Sequence, residues 1–97
     1  MPFNNRLLVI LQAGESTQPA AERGRMIASR LGAKILLIAD RPARQAKHRQ
    51  WIETQAKQLR SEGFEAEVFD WDKGDLIENV RSAVDQTGAG LVIKYTD

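Results

Sequence analysis

The sequence has no cysteine, which removes disulfides, thiolate catalysis and Cys-ligated zinc together and suits a reducing compartment. It has almost no net charge, +1 from 14 basic and 13 acidic side chains, so no global field points to DNA, RNA or an anionic membrane. Long apolar runs are also missing. The first, Leu7 to Leu11, is five residues, too short for a signal-peptide core or a membrane span, and no small-residue cleavage site follows it. A cytoplasmic location is the expectation. There is no linker, internal repeat or low-complexity tract. The 97 residues fit one domain, which buries roughly 60–65% of the surface its unfolded chain exposes.

What is present alternates between two periodicities. Leu7–Leu11 and Lys34–Ala39 are continuous apolar runs, as expected of strands buried on both faces. Between them Pro19 suits the first position of a helix. Ala20, Gly24, Ile27, Ala28 and Leu31 then recur at helical spacing, and Gly32 stands where a left-handed cap belongs. Pro42 is expected to start a long helix to about Glu62, closed by Gly63, with Glu53 and Lys57 as an i,i+4 ion pair. Glu65–Trp71 carries charges at 65, 67 and 70 and reads as an edge strand. Asp75 and Glu78 resemble a capping box opening a third helix. Its buried stripe is Leu76/Ile77, Val80, Ala83 and Val84, and Gly88 closes it. Leu91-Val92-Ile93 is the last strand. The order βαβαβαβ predicts a parallel four-stranded α/β sheet with right-handed helical crossovers.

The final strand is apolar on both pleats, yet no later element covers its outer edge. Such an edge is a template for pairing. A second subunit can supply the neighbour, or the missing strand can lie in a longer polypeptide, or a short strand can be left open.

Taken in order, these segments resemble the universal stress proteins. The resemblance rests on Leu7 through Gly32, with Arg30-Leu31-Gly32-Ala33 leading into Lys34–Ala39, and on Gly74-Asp75-Leu76-Ile77-Glu78 followed by Gly88-Ala89-Gly90-Leu91-Val92-Ile93. Trp51-Ile52-Glu53-Thr54-Gln55-Ala56-Lys57 and Leu91-Val92-Ile93-Lys94 are most similar to the tandem, E-type branch. The resemblance implies a Rossmann-like, adenine nucleotide alpha hydrolase-like sheet in the order 3-2-1-4, here without the family's final strand and phosphate-loop region. In such sheets ligands bind beyond the carboxyl ends of the strands, where the order reverses. A crevice there would be flanked by Gln12, Gly14, Ser16, Thr17 and Lys94. ATP-binding members place an Asp at the end of strand one and a G-x2-G-x9-G-[S/T] loop after strand four. Here Gln12 stands in the Asp position, and the loop would fall beyond Asp97. Without backbone amides converging on the phosphates, a triphosphate loses its cradle.

Other residues have structural explanations. Arg41, Arg44, Lys47 and Arg49 precede the first acid of the second helix, Glu53. Positive charge there opposes the helix dipole by ~0.3–1 kcal/mol each, and the segment is either a solvated face or a contact for an anion or acidic partner. His48, the one histidine, has Arg44, Gln45, Trp51 and Ile52 at helical spacing, which is no metal-ligand set. Gly14-Glu15-Ser16-Thr17 lacks the second glycine of a nucleophile elbow, because Gln18 stands there, and lacks a P-loop lysine. Ser16 or Thr17 is expected to cap the first helix. Asp70, Asp72 and Asp75 lack a calcium loop's terminal Glu. Trp71 serves either the core or a contact surface.

No catalytic set, metal site or cofactor emerges, and neither a nucleic acid nor a membrane is an expected partner. The expectation is a non-enzymatic interaction module of the stress response, a homodimer or a domain docked to a second universal stress protein domain. Leu91, Val92, Ile93 and Tyr95 would form the interface. The alternative is an ATP-binding or other nucleotide-binding stress protein completed by sequence or a partner outside this chain, using Gln12–Thr17. A third possibility is a small-molecule or lipid-metabolite sensor in the same crevice.

Overall fold

The computed structural model describes residues 5–15, 18–42 and 46–94. They form β1 (Arg6–Leu11), α1 (Pro19–Leu31), β2 (Lys34–Ala39), α2 (Ala46–Ser61), β3 (Ala66–Val68), α3 (Leu76–Thr87) and β4 (Leu91–Lys94). The strands pair in parallel in the order β3-β2-β1-β4, as the alternation of runs predicts. β1 and β2 are central, which is why their apolar runs are unbroken. Leu8, Val9, Leu11, Leu37 and Ile38 have no exposed surface.

Side chains alternate across the sheet. Leu7, Val9, Leu11, Ile35 and Leu37 pack with α1 and α2, while Leu8, Ile10, Leu36 and Ile38 pack with α3 and Trp71. Two crossovers run one way along the sheet and the third runs back past β1. With one handedness for all three, α3 must lie on the opposite face.

Local chemistry sets the element ends. Gly32 and Gly88 take left-handed φ of 63° and 71° and donate their N–H groups to the Ala28 and Val84 carbonyls. Asp75 accepts a 2.8 Å bond from the Glu78 N–H at the start of α3. Gly24 is needed for a close approach, since a Cβ there would lie 2.9 Å from Val9 Cγ2. Its absence lets α1 press onto β1 beside β4.

Several expectations change. The N-cap of α1 is Gln18, with no side-chain cap bond, and Ser16 and Thr17 lie outside the described residues. α2 begins at Ala46 and Pro42 is outside it, while Arg44 is not among the described residues. Glu53 meets Arg60 at 4.0 Å and not Lys57, because two long chains at i,i+7 also share a helix face. β3 is only three residues long. Leu31 and Ile77 lie at the margins of their helical stripes and are 48% and 68% exposed.

Candidate functional site

Two places merit attention, the carboxyl end of the sheet and the open edge of β4. At the first, the β1–α1 turn carries Gln12 and Gly14, and β4 ends at Lys94, which is in register with Ile10 of β1. The fold therefore brings Gln12, Gly14 and Lys94 to one end of the sheet.

Sequence reasoning missed Gln18, which organises this turn. It is buried, and its side-chain oxygen accepts from the Gln12 N–H at 2.9 Å. Its Nε2 donates to the Gln12 and Glu15 carbonyls at 2.7 and 3.0 Å. Nearby, Asp40 Oδ1 accepts from the Ala13 N–H at 2.9 Å, and the Glu15 N–H reaches the Gln12 carbonyl at 3.2 Å. The turn's polar groups thus bond to the protein itself. Only the place of a glutamine next to a helix-starting proline hinted at this, and that pattern does not say where the carboxamide points.

The second place is built by α1 and β4. On the α1 face of the sheet a groove runs between Glu22, Arg23, Met26, Ile27 and Arg30 on the helix and Leu91–Lys94 of β4. Ile93 is buried against α1, whereas Leu91 and Val92 are 43% and 41% exposed and Met26 is 60% exposed. The predicted interface residues Leu91, Val92 and Ile93 therefore lie together on the open edge, and Tyr95 falls outside the described residues. Thr87, at the end of α3, accepts a 3.0 Å bond from Arg6 Nη1, which fixes the approach to β4.

The backbone phase of that edge can be read. The Asn5 and Leu11 carbonyls accept from Lys34 and Asp40 beside β2, and the Arg6 carbonyl accepts from Gly90 beside β4. Odd-numbered residues of β1 therefore face β2 and even-numbered ones face β4. Leu8 is in register with Val92, and in a parallel ladder a residue bonds to the neighbours of its register partner. Leu91 and Ile93 thus turn their amides toward β1, and Val92 turns its N–H and C=O to the open side.

The remaining candidates are structural. Trp71 is buried and donates through Nε1 to the Ala39 carbonyl at 2.9 Å, so it belongs to the core. His48 packs edge-on against Trp51, with ring centroids 6.0 Å apart. Among the described residues no three acidic or histidine side chains are placed to hold a metal ion, and no helix is long and apolar enough to cross a membrane.

The arrangement matches two solved structures. PA1789, a protein of unknown function from Pseudomonas aeruginosa PAO1, superposes with a TM-score of 0.79 at 22% identity. A candidate universal stress protein from Pseudomonas aeruginosa UCBPP-PA14 superposes with a TM-score of 0.78, also at 22% identity. The fold is universal stress protein-like. At this identity the likeness concerns the fold. It covers 91% of this chain and 31% of either neighbour, so the chain spans a little under a third of their length. No protein-family model matches the sequence, and no curated protein matches it.

Proposed function

We propose that this chain is a non-enzymatic interaction module of universal stress protein-like fold, which works by accepting a further strand at β4, either from a second copy or from a second domain of the same fold. The observation that carries this reading is the edge itself. Val92 presents an apolar side chain 41% exposed, its backbone faces outward, and a groove beside α1 adjoins it. Natural sheets blunt an open edge with charge, proline or bulges, and in β4 only the terminal Lys94 is charged, Leu91-Val92-Ile93 being apolar throughout.

The turn around Gln12 supports the non-nucleotide side of this reading. Gln18 already uses the Gln12 N–H and C=O, and a neutral side chain stands where ATP-binding relatives of the resemblance have a carboxylate. A role in stress response is drawn from the likeness to the candidate universal stress protein. Within that family the tandem, E-type branch suits best, since docking between like domains is what the β4 edge invites. A cytoplasmic location goes with the same reading.

Analytical ultracentrifugation tests it. The wild-type chain is expected to associate with rising concentration, and Val92→Lys to sediment as a monomer with an unchanged circular dichroism spectrum. A wild-type chain that associates equally well with lysine at 92 would remove β4 from the interface.

A further inference from the structure

The groove beside β4 carries charge of one sign on its inner wall. α1 turns ~100° per residue, and Gly24 is the point that presses on Val9. Arg25, ~100° to one side of Gly24, reaches Glu62 beyond α2. Arg23, Ile27 and Arg30, ~60–120° to the other side, look out over β4, with which they line the groove. Glu22 and Met26 lie on the far side of the helix from Gly24 and form only the outer rim.

The wall therefore places a cation on either side of an apolar centre. Arg23 and Arg30 are exposed, and among the described residues neither is in an ion pair. Ile27, four residues after Arg23 and three before Arg30, packs against the core. Leu91 shares its face of the sheet, being in register with Leu7, and Lys94 ends the strand. On the other face stands Val92, in register with Leu8 and 41% exposed.

We infer that the strand accepted at this edge comes from a partner of different sequence and carries the alternation acid–apolar–apolar–apolar–acid. This rests on the reading of β4 as a pairing edge and adds the side-chain chemistry of what pairs there. Strand side chains point to the two faces in turn. The first, third and fifth residues of the partner then lie on the α1 face, and the second and fourth lie beside Val92. The central apolar residue meets Ile27 and Leu91, and the two carboxylates reach Arg23 and Arg30. The arginines are ~10.5 Å apart along the helix axis, and the first and fifth strand residues are ~13 Å apart. Long arginine side chains absorb the difference. The pattern is the same read in either direction, so it suits a parallel or an antiparallel strand. A copy of β4 offers Leu91-Val92-Ile93-Lys94, which brings no carboxylate and one more cation. Two copies have only backbone and apolar contacts to hold them at this edge, so the acidic strand is the better occupant.

The test uses the full chain and a labelled, capped peptide, Thr-Glu-Val-Leu-Val-Glu-Thr, with binding read by fluorescence anisotropy at low salt. The peptide is expected to bind, and an analogue with both glutamates replaced by lysine to bind at least about tenfold more weakly. Arg23→Glu combined with Arg30→Glu should reverse that preference; both residues are exposed, and circular dichroism checks the fold. As an independent readout, the acidic peptide should slow hydrogen exchange at the Val92 amide, whose N–H faces outward, and not at Leu91. Equal binding of the two peptides, no binding of either, a preference that survives the charge reversal, or binding without protection of Val92 each overturns this inference. The edge reading survives any of these results if Val92→Lys still abolishes self-association of the chain, and falls with the inference if the wild-type chain neither binds peptide nor self-associates.

Discussion

Gln18 holds the β1–α1 turn closed and does not cap the helix that it precedes. Its carboxamide makes three bonds to the backbone of Gln12 and Glu15 from a buried position. It closes the turn on itself and leaves the first helical N–H groups of α1 without a side-chain cap. Removing one member of a buried network leaves the others unsatisfied, which costs roughly 1–3 kcal/mol. Gln18→Ala is therefore expected to lower unfolding stability by that order, measured as a fall in the urea midpoint with little change in slope. A variant as stable as wild type would show that water replaces the carboxamide without loss.

At the scale of elements, α1 and α2 share a face of the sheet, and one bidentate pair links α1 to Glu62, the residue that follows α2. Arg25 Nε donates to Glu62 Oε1 at 2.6 Å and Nη2 to Oε2 at 3.2 Å. The Arg25 hydrogen bond holds the Glu62 carboxyl below its ordinary value of 4.5, against an opposing effect of burial and with help from the Arg25 charge. Because the folded value is the lower one, the pair's contribution is present above the unfolded value and is lost as pH falls through the folded value. Glu62→Gln should accordingly be less stable than wild type at neutral pH, and the gap between their urea midpoints should close on acidification below about 4.5. A gap that persists unchanged through the acid range would mean that the carboxylate charge is not what links the helices.

For the molecule as a whole, the radius of gyration is 12.5 Å, which is about the value expected for a compact chain of this length. The sheet is nonetheless asymmetric. One outer strand, β3, is three residues long and turns Glu67 to solvent, which limits pairing on that side, whereas β4 shows exposed leucine and valine. The proposed association would thus use one side of the molecule. The ligand crevice of such folds lies at the carboxyl ends of the strands, where this chain has bonded its first turn internally. Isothermal titration with ATP is expected to give no binding heat. Micromolar binding would show that the Gln12–Gln18 closure opens for a nucleotide and would favour a nucleotide-dependent role over a purely interacting one.

Much of this was legible in the linear order of residues, for identifiable reasons. A strand buried on both faces must be apolar at every position, so Leu7–Leu11 and Lys34–Ala39 declare themselves. Gly32, Gly88 and Asp75 act on backbone groups within a few residues and mark helix ends without help from the rest of the chain. The alternation of periods, with one handedness of crossover, then leads to a parallel sheet. Tertiary structure decided what depends on distant neighbours. Trp71 is a core residue only because Ala39 of β2 offers its carbonyl. Leu31 and Ile77 follow helical spacing yet stay exposed, since the sheet is too narrow to cover the margins of either stripe. The role of Gln18 required the chain to turn back on Gln12. That the Val92 backbone turns to the open side followed from the hydrogen-bond phase of β1 between its two neighbours, a relation among three strands that no local pattern encodes.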